Sequence, residues 1–299
     1  IWFANDVVLF PAIRFITGFF LAGIYPVGMK IAANLFPKKL GKALGYLVGA
    51  LVLGTAFPHL LRSQLHLTDW KLVVIFTSAI ALIGGLMIVL TVPETQKRIS
   101  FQPIQWHTSM RVFQSLEFRS VAFGYFGHMW ELYAFWASLP IVVSLYNNYK
   151  AIQLNVLFCS FLVLAVGSIG CVGGGYLSQK WGSKKVAFYA LLLSGICCVT
   201  APFVFHSSPN IFLLFFLFWG IMVTADSPQF SALVAQNAGE NVRGTALTIV
   251  TCIGFSITIV SIQILKILLG LYDEYALLVL ALGPAFGLYA LMKKKGTKT

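Results

Sequence analysis

Nine stretches of this chain are each long and apolar enough to cross a lipid bilayer as a helix: roughly residues 7–35, 42–62, 71–92, 118–146, 153–177, 185–206, 210–236, 244–270 and 274–292. A bilayer core asks for about 20 apolar residues of helix. Within hydrocarbon every backbone N–H and C=O must be paired, so only helices or closed barrels can span it. The apolar runs do not alternate with polar residues, which selects helices. Composition agrees: 59% of the residues are hydrophobic and 10% charged, too few polar groups to cover a soluble globule of this length. An all-α membrane protein with nine transmembrane helices is therefore expected.

The formal net charge of +12 is a topology signal rather than a nucleic-acid face, since no basic run is interleaved with aromatic residues. Placing the connections after the odd-numbered spans and the carboxy terminus on one side gathers most of the basic residues there, among them Lys38, Lys39, Lys42, Lys180, Lys184, Lys185 and Lys293 to Lys295. The opposite side keeps Arg62, Lys71 and Lys150. By the positive-inside rule the basic side is cytoplasmic. A plasma-membrane, multi-pass protein with a cytoplasmic carboxy terminus is the expectation, with the lipid bilayer and not nucleic acid as its surroundings.

Residues 93–117 form the long connection and divide three spans (1–92) from six (118–299). It reads as a cytoplasmic linker in which Trp106 and Phe113 either rest at the membrane interface or are simply solvated. Spans 1 and 7 resemble each other at a separation of 202 residues, which pairs Gly18 with Gly220 and Pro26 with Pro228. One residue further apart, Gly41-Lys42-Ala43-Leu44 pairs with Gly244-Thr245-Ala246-Leu247. Such a repeat makes span 1, like span 7, the fourth helix of a six-helix half. Three helices are then expected before Ile1, and residues 1–299 alone should not transport. Paired halves of this kind are the plan of many secondary transporters.

Particular residues carry a family resemblance. The stretch GGGYLSQKWGSKK, residues 173–185, resembles the loop after the second helix of a half in the major facilitator superfamily: Gly175, Leu177, Ser178, Lys180, Gly182, Lys184 and Lys185 fit, while Gln179 replaces the family's acid. RFITG, from Arg14 to Gly18, is similar to the family's fourth-helix R-x-x-x-G element. The segments 225–247 and 127–136 look like branches grouped with nitrate/nitrite-type porters, although the glycine-rich fifth-helix signature of those porters is not evident. The resemblance implies the major facilitator fold, two six-helix bundles, here without the first three helices. It also implies that spans 1, 4 and 7 line a central cavity and that Gly175, Gln179, Gly182, Lys184 and Lys185 belong to a conformational gate.

Ionisable side chains in hydrocarbon are costly, at least about 2.5–3.5 kcal/mol on insertion scales, and persist where they face a cavity or a partner. Arg14, His128, Glu131 and Asp226 all fall on those three spans. Glu131 lies roughly 20 Å into its span at 1.5 Å per residue, and His128, three residues earlier, shares its helical face. Glu131 is the first candidate to carry a coupling proton, with His128 tuning it or sharing that proton; the bland alternative is a buried pair that fixes packing. Arg14 either binds an anionic solute or pairs with an acid. Asp226, beside Ser227 and Pro228, binds a cation or the solute, contacts a gate, or caps a kink. Tyr25, Trp130 and Tyr133, with Tyr125 and Trp136, either line the cavity or pack and anchor the helices.

Other chemistry finds little support. His128-x-x-Glu131 lacks the second histidine of H-E-x-x-H, and the five cysteines have no C-x-x-C spacing, so neither an enzyme, a metal site nor a cofactor is expected. The reading is a monomeric secondary transporter of a small anionic solute, coupled to protons, with symport or uniport favoured because the antiporter element G-P-x-x-G-G is missing at Gly54-Thr55. A transporter-like receptor that moves nothing is the alternative. Gly41, Gly45 and Gly49 on one span, and Gly170 and Gly174 on another, form small-x-x-x-small rows that let helices approach and slide.

Overall fold

A computed structural model describes residues 9–65, 69–91, 111–239 and 242–293, and among them there is no strand. Eleven α-helices follow one another: α1 (Leu9–Ala22), α2 (Tyr25–Leu35), α3 (Leu40–Gln64), α4 (Trp70–Thr91), α5 (Leu116–Lys150), α6 (Val156–Trp181), α7 (Ser183–Val204), α8 (Pro209–Ala225), α9 (Ser227–Asn237), α10 (Arg243–Tyr272) and α11 (Leu282–Met292). Most of the linker expected at 93–117, including Trp106, lies outside the described residues. Its end is seen at Phe113, whose ring meets Phe118 edge-on at 5.0 Å. The Ser115 hydroxyl then opens α5 by accepting the Phe118 N–H, relieving one of the unpaired donors at the helix start.

Seven of the described helical stretches are long and apolar enough to cross a membrane, two fewer than expected from the sequence. One of the seven is the continuous run Arg243–Met292, in which a 3₁₀ segment, Asp273–Ala281, joins α10 to α11 where two separate spans were expected. The 35-residue α5 is long enough but is not among the seven, because His128, Glu131 and its tyrosines and tryptophans lower its mean hydropathy. The exterior is greasy: α4 buries none of its residues, and Leu90 is 81% exposed. Such a surface is ill suited to water.

The aligned spans 1 and 7 share a defect. Span 1 breaks between α1 and α2 with Pro26 in the first turn of α2, and span 7 breaks at Asp226 with Pro228 in the first turn of α9. Proline lacks an N–H and crowds the carbonyl four residues back, so each break falls just before the proline that the repeat pairs. Around the first break the ladder tightens, with Gly23 N–H on the Phe20 carbonyl and Ile24 N–H on the Leu21 carbonyl. Pro58, Pro140 and Pro202 by contrast sit inside helices that continue through them.

The seam between the leading helices and the rest is the pair α3–α6, the most extensive helix contact among the described residues. The glycine row works here as expected. A Cβ on Gly45 would come within 2.7 Å of the Cys171 carbonyl oxygen, and one on Gly175 within 2.9 Å of the Gly41 carbonyl. Gly170 and Gly174 face the other way, onto the carbonyls of Ile221 and Ala225 in α8.

Candidate functional site: a cavity with a polar wall behind it

A cavity of about 700 Å³ lies between α1–α3 on one side and α5, α9 and α10 on the other. α5 supplies a continuous stripe to it, Tyr125, Met129, Leu132, Tyr133 and Trp136, whose spacing of three and four residues is one face of a helix. Tyr25, next to the proline break of span 1, and Ser227, at the break of span 7, enter from opposite sides, with Thr55, Thr248, Thr251 and Ser256 completing the hydroxyl groups. Tyr25 and Tyr133 are thus cavity residues. The described lining carries no charged side chain.

The expected charges stand elsewhere. His128 and Glu131 share a face of α5, but that face turns into the bundle, away from the cavity, and both side chains are fully buried. They also have separate partners. The Glu131 carboxylate accepts the Trp219 indole N–H at 2.8 Å and the Cys198 thiol at 3.3 Å on Oε1, and the Ser194 hydroxyl at 2.9 Å on Oε2. Three donors from α7 and α8 therefore offset its burial, where a cavity face would have offered water. The expectation that His128 shares a proton with Glu131 is corrected: His128 Nδ1 lies 2.9 Å from Asp226 Oδ1, and its Nε2 meets the Ser227 hydroxyl at 2.7 Å.

Asp226 is fully buried and stands at the start of α9, where the helix dipole favours a carboxylate. Its contact with His128 has ion-pair distance without hydrogen-bond geometry, and Oδ2 has no hydrogen-bond partner among the described residues. The same break that turns Asp226 inward points Ser227 toward the cavity, so neighbouring residues serve the two sides of one wall. Tyr125 and Phe230 flank the imidazole, with ring centroids 6.0 and 5.8 Å away.

Arg14 is exposed on α1, one turn before the cavity residue Gly18, with its guanidinium 5.5 Å from the Phe10 ring. It pairs with neither acid. Trp130 is not on the cavity either; its indole N–H donates to the Val279 carbonyl at 3.1 Å, and it lines a separate apolar groove of about 450 Å³ with Phe126, Ile257 and Phe286. Of the expected gate residues, Gly175 is pressed against α3, Gly182 has φ +80° in the one-residue turn between α6 and α7, and Gln179, Lys184 and Lys185 are exposed beside that turn.

Sequence reasoning missed the donors Ser194, Cys198 and Trp219 and the junction residue Ser227. Cys198 was indistinguishable from a small packing residue in an apolar run, because its value lies in which carboxylate it faces. Ser227 carried one signal, its place between Asp226 and Pro228.

Seven described helical stretches able to cross a membrane, and a cavity of about 700 Å³ with buried ionisable groups behind its lining, fit a multi-pass membrane protein of transporter type. The profile of the Major Facilitator Superfamily matches residues 1–292, and the chain belongs to that superfamily. A segment of 111 residues is 32% identical to a protein of Oryza sativa subsp. indica described as a probable inorganic phosphate transporter 1-4, covering 36% of this chain and 20% of that one. The probable inorganic phosphate transporter 1-5 of Oryza sativa subsp. japonica matches at 32% over 111 residues and 19% of its length. The matches thus span about a fifth of these curated relatives. Among solved structures, the E. coli fucose:proton symporter superposes with a TM-score of 0.56 at 17% identity, over 74% of this chain and 55% of that one, a likeness of fold.

Proposed function

We infer that this chain is the greater part of a secondary transporter that moves a small anionic solute together with protons by alternating access. One observation carries the reading: a cavity of about 700 Å³ between two helix bundles, with the buried acids Glu131 and Asp226 directly behind its wall. A carboxyl in such a place can exist charged or neutral, which lets it take a proton from one side and release it to the other. The anionic solute is supported by the rice relatives' description and by Arg14, one turn from the cavity on α1. In this reading nine spans are present, three more precede them in the complete protein, the carboxy terminus is cytoplasmic in the plasma membrane, and the monomer works alone. Gly175, Gly182 and the basic pair Lys184 and Lys185, with Gln179, form the gate of the carboxy-terminal half.

The test is uptake by the complete protein in proteoliposomes, with radiolabelled inorganic phosphate as the first probe and other small anions after it. An inward-directed proton gradient should drive accumulation that a protonophore abolishes. Uptake indifferent to the gradient rejects proton coupling. The uncharged wall of hydroxyls and aromatic rings favours a second reading, a neutral hydroxyl-bearing solute, and gradient-driven uptake of a sugar but of no anion would select it.

A further inference from the structure

The two buried acids differ in one respect that matters for coupling. Glu131 is enclosed by three donors, and none of its partners opens on the cavity. Asp226 is joined to the cavity by two short contacts in series, an ion-pair distance of 2.9 Å to His128 that lacks hydrogen-bond geometry and a 2.7 Å hydrogen bond onward to Ser227, which lines the cavity. The remaining oxygen of Asp226 has no hydrogen-bond partner among the described residues, so the contact with His128 is the carboxyl's one short side-chain link.

We propose that Ser227, His128 and Asp226 form a proton relay with a single door, the Ser227 hydroxyl, through which the solute cavity loads and unloads the coupling proton. The proposal rests on the proton-coupled reading above and narrows it to one carboxyl and one route. A proton arriving on Ser227 Oγ, from water or from the solute, sends the hydroxyl proton to His128 Nε2. The Nδ1 proton then passes to Asp226 Oδ1 once a small turn of the imidazole or the carboxyl aligns the pair. The sum is one proton moved from the cavity to the carboxylate, with the imidazole neutral again as its other tautomer and the hydroxyl restored. Reversal of the same steps returns the proton through the same door.

A single door couples proton to solute by geometry. The cavity faces one side of the membrane at a time, so the relay is loaded from whichever side also offers the solute. A second exit from Asp226 would leak protons without solute. The titratable groups that face the relay are Glu131 and Tyr125 on α5 and Cys171 on α6, and the Cys171 thiol is engaged with the Thr224 carbonyl. Among the described residues no lysine or arginine pairs with Asp226. A hydrolytic use of the Ser–His–Asp sequence is not favoured, because Pro228 follows the serine and supplies no N–H to hold an oxyanion.

The experiment uses the proton itself as the probe. The complete protein, reconstituted in lipid, is taken through a pH step while infrared difference spectra follow the carboxyl C=O band of a buried acid. The relay predicts a band that is lost in Asp226→Asn, shifted in Asp226→Glu and unchanged in Glu131→Gln. Ser227→Ala should slow its appearance at least tenfold, whereas Ser227→Thr, which keeps the hydroxyl, should restore the rate. A band that disappears in Glu131→Gln but survives in Asp226→Asn overturns the assignment. Wild-type speed in Ser227→Ala, or no titrating carboxyl band in the wild-type protein, overturns the door. Because no solute is present, failed phosphate uptake beside a titrating Asp226 refutes only the anionic reading.

Discussion

At the scale of single residues, the cost of burying Glu131 is offset by the three donors aimed at it. Losing a hydrogen bond to a charged buried group costs about 1.5–3 kcal/mol, so Trp219→Phe, which removes the 2.8 Å indole contact, should lower stability by about 2 kcal/mol. Glu131→Leu leaves the Trp219 indole and the Cys198 thiol without an acceptor and should cost more still. Glu131→Gln should cost only about 1 kcal/mol: the amide oxygen still accepts from Trp219, and the Ser194 hydroxyl can turn to accept from the amide while donating to the Leu191 carbonyl, already 3.2 Å away. Thermal unfolding of the three variants in detergent checks the order. Proton-driven uptake should survive Glu131→Gln, and its loss there would return the coupling role to this residue.

At the scale of elements, the same substitution should have opposite signs at two places on α3. Gly54 has nothing within 4 Å of where its Cβ would stand, whereas Gly45 faces the Cys171 carbonyl at 2.7 Å. Gly54→Ala should therefore stabilise by up to about 1 kcal/mol through helix propensity, and Gly45→Ala should destabilise by about 1–3 kcal/mol through overpacking. Paired melting curves decide it. The end of α5 offers a third case. Ala151 caps that helix in the left-handed region, φ 52° and ψ 44°, a conformation that costs an L-residue roughly 1–2 kcal/mol. Ala151→Gly should raise the melting temperature, since glycine relieves that strain.

At the scale of the whole molecule, the proposed alternating access would part the leading helices from the rest along α3–α6. The far end of that seam brings the Ser63 hydroxyl to 3.4 Å from Asn155 Oδ1. A disulfide or short thiol linker between Ser63→Cys and Asn155→Cys should arrest uptake by the complete protein, with activity returning on reduction. Uptake that continues through a verified cross-link would mean that this end of the seam does not open. Asn155 also caps α6, so the variant should be about 1 kcal/mol less stable before any link forms.

The sequence by itself determined the helical membrane class, the family and the glycine faces, because these follow from local rules: apolar length, motif residues, a missing Cβ; it paired Pro26 with Pro228, but that the spans break there and not at Pro58 or Pro140 only the structure decided. It also singled out Arg14, His128, Glu131 and Asp226 as candidates, since hydrocarbon makes ionisable residues conspicuous. Only the tertiary structure decided which partner each one has. The spacing of His128 and Glu131 put them on one face of α5, yet whether that face meets the cavity or the bundle depends on the rotation of α5 against α7, α8 and α9, which packing of the entire helix sets. The pairing of His128 with Asp226 joins residues 98 positions apart, and the placing of Ser227 and Asp226 on opposite sides of one wall is a consequence of how the break at Pro228 turns the chain. Those are non-local contacts, and no local pattern of residues encodes them.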